Sequence, residues 1–184
     1  PYGTDETMSN VNILDVSTIN NKITDKISIV KIFDSQTVFS WLKDIENWED
    51  EEAQKMASLT IQNVGSGSNI IASVHSEYGL VAITSYLHIT SRFRLSMLSD
   101  IIKNERPARL ERMIINNGVM FVYRLSGAGK GGTRKIIDEI KSESTREKRP
   151  IFLNSTDVAK SFYTKMGFKS IKNSNHYYWI QDMK

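Results

Sequence analysis

The sequence predicts an α/β fold in which helices flank a mixed, mostly antiparallel central sheet. Three observations support this prediction: apolar residues that alternate as in strands, apolar residues at helical spacing, and a glycine-dense turn between a strand and a helix. With 184 residues, of which 40% are hydrophobic, the chain has enough apolar material for one buried core. Residues 26–184 are therefore interpreted as a single globular domain, and the polar residues 1–25 as a flexible N-terminal tail.

The first elements of this domain are a strand and a helix. Residues 26–33 alternate as a strand, and Asp34 with Ser35 can cap the helix that follows. The apolar residues of this helix recur at helical spacing: Val38, Trp41, Leu42, Ile45 and Trp48. The acidic cluster at 49–52 is interpreted as a solvated helix face, with the binding of a basic acceptor as the less favoured alternative.

A hairpin is expected next. Glycines and serines mark a turn at 65–68. The alternating stretches 70–74 and 80–89 follow, and the turn-like residues 77–79 join them. This pattern predicts two antiparallel strands.

The segment after the hairpin contains a longer connection. Apolar residues at helical spacing predict a helical insertion at 91–107, which ends before Pro107. Residues 109–115 are interpreted as a strand, and Asn116-Asn117-Gly118 as the turn that joins it to a strand at 119–125.

Composition excludes several classes of function. The chain has no cysteine, which removes disulfides, thiol nucleophiles and thiolate metal ligands together. No run approaches 18 apolar residues and no signal-peptide pattern is present, which predicts a soluble, cytoplasmic protein without membrane contact. His75 and His88 lie on strand-like stretches and are further candidates for a base, with a structural role as the favoured interpretation. No pair of histidines has metal-ligand spacing, so no metal is expected.

The charge distribution favours a polyanionic ligand for the C-terminal half. Residues 109–184 contain 15 basic and 7 acidic residues, whereas the rest of the chain contains 9 basic and 14 acidic residues. The basic half also contains the glycine-dense turn, so its positive charge lies where a phosphate group would bind.

This turn, residues 127–133, has the composition of an anion cradle. Its glycines reach left-handed dihedrals at little steric cost, so that successive N–H groups can point into one concavity. Ile136, Ile137 and Ile140 behind it predict a helix with one buried stripe, which makes Thr133 a first-turn or cap residue. The helix dipole would then attract a phosphate to the turn.

Two common phosphate-binding motifs fit poorly. A Walker A loop needs Ser or Thr directly after Gly-Lys, whereas Gly131 follows Gly129 and Lys130 here. A dinucleotide-binding fold matches the glycine spacing, but too little sequence follows the turn for the remaining parallel strands. A flexible surface loop is the other alternative.

The C-terminal half resembles the acetyl-CoA-binding half of GNAT-type N-acetyltransferases over residues 109–181. Their pyrophosphate loop, Gln/Arg-x-x-Gly-x-Gly/Ala, fits in two registers. The first places Arg124, Gly127 and Gly129 on the motif, and the second places Gly131 and Thr133 on its two small-residue positions. The second register is preferred because it places Ile136 and Ile137 on the family's paired aliphatic positions.

Downstream, the strand at 151–155 is followed by Ala159-x-x-Phe162-Tyr163-x-Lys165-x-Gly167-Phe168, which is similar to the family's A-x-x-F/L-Y-x-K-x-G-F segment. Residues 176–180 resemble its closing strand. The resemblance implies a GNAT-like fold and acetyl-CoA as co-substrate. The candidate cofactor-binding residues are Arg124, Gly127, Gly129, Lys130, Gly131, Gly132, Thr133, Arg134 and Asn154.

The expected chemistry is direct attack of an amine on the thioester, with transfer of the acetyl group to a primary amine and without an acyl-enzyme. Tyr163 is the candidate general acid, because a phenol stays protonated at neutral pH and can donate to the leaving thiolate. The resemblance points to the same residue. Glu111, on the predicted strand 109–115, is the candidate base. An equally favoured alternative is that Glu111 is an exposed strand residue that forms an ion pair with Arg109 or Arg112.

The acceptor is expected to carry an amine, as a small molecule, a protein or an aminoacyl-tRNA, since nucleic acid could use the same basic surface. The alternative function is a catalytically inactive CoA-binding or regulatory module on the same fold. The sequence leaves the oligomeric state open.

Overall fold

The structure is a computed structural model that describes residues 26–92, 95, 108–172 and 174–181. The predicted tail 1–25 lies outside the described residues, as does the predicted insertion at 91–107 apart from Ser91, Arg92 and Leu95. The chain divides into two compact units. The first unit is Pro1–Ser85 with Arg124–Ile136, and the second unit is Tyr86–Tyr123 with Ile137–Lys184. The single-domain interpretation of residues 26–184 stays a prediction.

The strands form a mixed sheet, as the sequence predicts. They are β1 (Ile27–Lys31), β2 (Ser68–His75), β3 (Gly79–Ile89), β4 (Val119–Gly127), β5 (Ile151–Asn154), β6 (Lys169–Ser170) and β7 (His176–Trp179). Their order in the sheet is β1-β2-β3-β4-β5-β7-β6. β4 and β5 pair in parallel, whereas β1 with β2, β5 with β7 and β6 with β7 pair antiparallel. The α/β class, the hairpin β2–β3 and the strands β1, β4, β5 and β7 are confirmed, and the short strand β6 was not predicted.

The helices named below are α1 (Ser35–Asp44), α2 (Asp50–Val64), α3 (Ala108–Asn117), α4 (Gly132–Glu147) and α5 (Lys160–Lys165). A 3-10 turn, Asp157–Ala159, precedes α5. None of the helices in the described part of the chain combines the length and the apolar character needed to cross a membrane.

In the first unit, α1 and α2 pack on the sheet. The Asp34 carboxylate caps α1 by accepting from the Thr37 N–H at 2.9 Å and from its hydroxyl at 2.9 Å, as the sequence predicts. The shared core includes Val30, Trp41, Leu42, Ala53, Ala57, Ile70, Val74 and Leu80. Asp50 lies in the exposed first turn of α2 with Glu51 and Glu52, where the positive end of the helix dipole favours carboxylates.

In the second unit, the predicted strand 109–115 is wrong, because these residues belong to helix α3. Leu110 and Ile114, four positions apart, are each 1% exposed, so the buried face has the period of a helix. Asn116-Asn117-Gly118 is the end of this helix and not a hairpin turn. Gly118 has φ +83°, and its N–H donates to the Ile114 carbonyl at 3.0 Å, which is typical of a glycine that ends a helix.

The core of the second unit lies between α3 and the sheet. It includes Leu95, Leu110, Ile114, Val119, Phe152, Ile171, Tyr178 and Ile180. Helix α4 is present as predicted, and Ile136, Ile137 and Ile140 are each fully buried.

Candidate functional site

The glycine loop connects β4 to α4 in the first unit. Three consecutive residues have positive φ: Gly129 at +84°, Lys130 at +64° and Gly131 at +79°. The Gly132 N–H donates to the Gly129 carbonyl at 3.3 Å, and the Ala128 N–H donates to the Val81 carbonyl at 2.8 Å. The loop is therefore a tight turn that is hydrogen-bonded to β3.

The head of α4 presents free backbone N–H groups. The Lys135 N–H donates to the Gly131 carbonyl at 3.2 Å. Over the described ranges, the N–H groups of Lys130, Gly131, Thr133 and Arg134 have no acceptor. Unpaired amides at the positive end of a helix dipole can together bind an anion.

Gly132 allows the loop to lie directly on the sheet. A Cβ at this position would lie 2.6 Å from Ser73 Oγ and 2.7 Å from Val81 Cγ2. Ser73 is completely buried, and no described residue is a partner of its hydroxyl. Only a glycine lets the first turn of α4 approach β2 and β3 this closely.

Lys130 adopts a backbone conformation that normally favours glycine. A lysine in the left-handed region costs on the order of 1–2 kcal/mol. Its Nζ lies 4.5 Å from the ring centroid of Tyr78, a half-exposed side chain. An exposed cation–π contact contributes about 0.5–1 kcal/mol, which offsets only part of this cost. Strain of this kind is typical of functional sites.

Arg124 is held by other side chains of the first unit. Its guanidinium donates to Glu46 Oε1 and lies 5.2 Å from the centroid of the Trp48 ring. Trp48 Nε1 donates to the same carboxylate oxygen at 3.2 Å. Glu46 Oε2 is buried, with no partner among the described residues. The sequence places Trp48 only on an apolar helix face and gives Glu46 no role, since neither residue belongs to a recognisable motif.

Tyr163, the candidate general acid, lies on α5 in the second unit and is 7% exposed. The rings of Phe162, Phe168 and Tyr177 surround it at centroid distances of 5.3, 5.6 and 6.1 Å. Burial raises the pKa of Tyr163 to about 12, because the apolar surroundings disfavour the phenolate. Within the described part of the chain its hydroxyl has no hydrogen-bond partner.

The other two candidate residues of the second unit are exposed. Asn154 ends β5, with His176 as its Cα partner on β7. Glu111 lies on the solvent face of α3 and not on a strand, which corrects the placement that suggested it as a base. The ion pair with Arg109 or Arg112 is also not seen within the described residues. The cofactor-binding and catalytic roles of these residues stay predictions.

A polar network joins β3 to α4 in the second unit. The Tyr86 hydroxyl donates to Glu143 Oε2 at 2.5 Å, and His88 Nε2 lies 3.3 Å from Glu143 Oε1. Arg149 Nη1 lies 2.6 Å from His88 Nδ1. Arginine can only donate, so Nδ1 accepts and Nε2 carries the proton that His88 donates to Glu143. The hydrogen bond from His88 is the largest cause that lowers the pKa of Glu143, and the hydrogen bond from Tyr86 adds to it. Burial raises the pKa of Tyr86. His88 is thus part of a hydrogen-bonded network with Glu143 and Arg149.

No protein-family model matches the sequence, and no curated protein matches it significantly. Solved structures do match. The histone acetyltransferase HPA2 and related acetyltransferase of Corynebacterium glutamicum is 13% identical, with a TM-score of 0.55 over 87% of this chain and 99% of that chain. The Bacillus subtilis N-acetyltransferase YlbP, in complex with coenzyme A, is 16% identical, with a TM-score of 0.55, and the match covers 86% of this chain and 99% of YlbP. AtaT complexed with acetyl-methionyl-tRNAfMet is 13% identical, with a TM-score of 0.53, and the match covers 84% of this chain and 94% of AtaT.

These similarities define the fold of the chain. It is the fold of the GNAT-type N-acetyltransferases, as the resemblance in the C-terminal half predicts. The similarity extends over the N-terminal half, which carries no recognisable motif of its own.

Proposed function

We propose that this chain is an acetyl-CoA-dependent N-acetyltransferase. The co-substrate binds with its diphosphate on the glycine loop at the head of α4, and its acetyl group is transferred directly to a primary amine. The acceptor is a small molecule, a protein or an aminoacyl-tRNA.

One observation supports this proposal above the others: the free amides of the glycine loop. Lys130, Gly131, Thr133 and Arg134 offer unpaired N–H groups at a helix N-terminus, which suits a diphosphate. Proteins with the same fold bind such a ligand, since YlbP was solved with coenzyme A and AtaTR with acetyl-CoA. Lys130 and Arg134 add positive charge beside these amides.

The packing of the loop favours the second of the two motif registers. The Arg124 side chain, which the first register requires, is engaged with Glu46 and Trp48. Gly131 and Gly132 have the conformation and the close packing that only glycine allows. We therefore assign the diphosphate to the free amides of Lys130, Gly131, Thr133 and Arg134, with Gly127 and Gly129 shaping the turn.

The transfer step combines the formation and cleavage of bonds at the thioester carbonyl with three proton transfers. The neutral amine attacks the thioester carbonyl, the C–N bond forms, and the tetrahedral intermediate collapses as the C–S bond breaks. The thiolate takes the proton of the Tyr163 hydroxyl, the amine gives its proton to a base, and solvent reprotonates the phenolate. Transfer from a phenol with a pKa of about 12 to a thiolate with a pKa near 8.5 is uphill by about 5 kcal/mol. We therefore expect the proton to move as the C–S bond breaks, not before it.

The acceptor class is inferred from one similar structure and from the charge of the C-terminal half. AtaT, a protein of the same fold, was solved with acetyl-methionyl-tRNAfMet, and the basic C-terminal half of this chain suits a polyanion. An aminoacyl-tRNA is thus one acceptor to test beside polyamines and peptides.

The experiment is release of free thiol from acetyl-CoA in the presence of a panel of primary amines: spermidine, a lysine-containing peptide and aminoacylated tRNA. Mass spectrometry of the amine then detects the added acetyl group. Thiol release that depends on an amine, with the acetylated product, is the expected result. Binding of coenzyme A without acetylation of any amine would indicate the alternative, a CoA-binding module without catalysis.

A further inference from the structure

We propose that Tyr78 is a positioning residue that holds the Lys130 ammonium group ready for a phosphate of the coenzyme. Neither the glycine motif nor the family resemblance assigns Tyr78 a role. The inference rests on the proposed function, because it names how the same loop recognises its ligand.

The hairpin turn between β2 and β3 holds the Tyr78 ring in place. The His75 ring packs against it at a centroid distance of 4.7 Å, and His75 Nδ1 accepts from the Glu77 N–H at 3.0 Å. The Ser76 N–H donates to the Lys26 carbonyl at 2.9 Å, which ties the turn to the start of β1. The ring is therefore an ordered platform, although Tyr78 is 53% exposed.

Lys130 is a non-glycine residue at a loop position where the backbone conformation favours glycine. Its φ of +64° lies between those of Gly129 and Gly131, at +84° and +79°, so a third glycine would fit without strain. A lysine at this position indicates that the side chain itself is used. Its backbone N–H is one of the free amides, so the residue itself belongs to the proposed diphosphate site.

An aromatic partner suits this use better than a carboxylate would. A carboxylate would neutralise the ammonium group and compete with the phosphate for it. The face of Tyr78 attracts the cation through the ring quadrupole and leaves its net charge available. Within the described ranges Lys130 makes no ion pair, so its charge is free for a ligand.

The test is a double-mutant cycle on the dissociation constant of coenzyme A, measured by calorimetry. Lys130→Met is expected to weaken binding about tenfold, since it removes a charged donor to a phosphate. Tyr78→Leu is expected to weaken binding about threefold, whereas the matched control Tyr78→Phe, which keeps an aromatic face, stays near wild type. In the Lys130→Met background, Tyr78→Leu should have no further effect, because the two residues act through one contact.

Repeating the cycle with 3′-dephospho-CoA identifies the phosphate. If Lys130 binds the 3′-phosphate, the effect of Lys130→Met disappears with this analogue, and if it binds the diphosphate, the effect persists. Both outcomes support the proposal. Equal losses from Tyr78→Leu with and without Lys130, or no loss at all, would overturn it while leaving the proposed function intact. Absence of any coenzyme binding by the wild-type chain would overturn the proposed function as well.

Discussion

Tyr163 shows how burial sets the properties of one side chain. Three aromatic rings surround the phenol, and its pKa is raised to about 12 by burial. The hydroxyl therefore stays protonated throughout the neutral range, as a proton donor must. Its motif could be predicted from the sequence, but its environment could not, because Tyr177 and Phe168 reach it only through the folding of β7 and the turn after α5.

At this scale we predict that Tyr163→Phe lowers turnover by more than about tenfold, within the range that general acid catalysis contributes. The dissociation constant of acetyl-CoA should change less than about twofold, since the ring and its packing remain. Steady-state kinetics and calorimetry measure the two effects. Tyr177→Phe is the matched control, because it removes a phenol that contacts Tyr163 and should leave turnover unchanged. Equal turnover in Tyr163→Phe and wild type would remove the residue from its role.

The glycine loop is the element whose proposed function depends most on backbone conformation. Glycine density predicted a loop and the isoleucine pattern predicted the helix behind it, and both are present. The sequence could not predict why Gly132 must be glycine, since the side chains that it approaches, Ser73 and Val81, lie on other strands. It also misled on α3, because Asn-Asn-Gly suits a hairpin turn as well as a helix end.

A comparison of Gly129 with Gly67 separates the effect of backbone strain on stability from the effect of a change in the proposed binding loop. Gly129 and Gly67 have φ of +84° and +93°, and a Cβ at either position meets nothing within 4 Å. Alanine at either should therefore destabilise the fold by about 1–2 kcal/mol through backbone strain alone. We predict that Gly129→Ala also weakens coenzyme A binding by about tenfold, as one misplaced amide to a charged group would, whereas Gly67→Ala leaves it unchanged. Denaturant unfolding and calorimetry measure both effects, and equal affinities in the two variants would contradict the placement of the site.

The contact of α4 with β3 predicts a pH dependence of stability. The pKa of Glu143 is lowered in the folded state, mainly by the hydrogen bond from His88. A lowered carboxyl pKa stabilises the fold above the unfolded pKa near 4.3, and this contribution is lost as the pH falls through the folded value. We predict that Glu143→Gln is less stable than wild type at pH 7 and that the difference shrinks toward pH 3. Urea unfolding across this range measures it, and a constant difference would count against the network.

At the scale of the whole molecule, the fold follows from local patterns and one distant family resemblance. The β2–β3 hairpin agrees with these patterns, whereas the parallel pairing of β4 with β5 was not predicted. The first unit's contact between Glu46 and Arg124 could not be predicted, because the two residues lie 78 positions apart and no motif links them. The acceptor is likewise unassigned by sequence, since the N-terminal half has no motif.

Ligand binding should stabilise the whole molecule. Acetyl-CoA at 100 times its dissociation constant contributes about 2.7 kcal/mol if it binds only the folded state. For a chain of this size we predict a rise in melting temperature of about 5–10 °C. Differential scanning calorimetry measures the shift, with adenosine as a control ligand that lacks the diphosphate. An identical melting temperature with and without acetyl-CoA would contradict the prediction.

The proposed site places the diphosphate of coenzyme A on the amides at the head of α4. Its most direct test is a calorimetric titration of coenzyme A into the full chain at low and at raised ionic strength. We expect saturable heat with one site per chain and weaker binding at the higher salt concentration, because the ligand is an anion. No heat of binding at either ionic strength would contradict it.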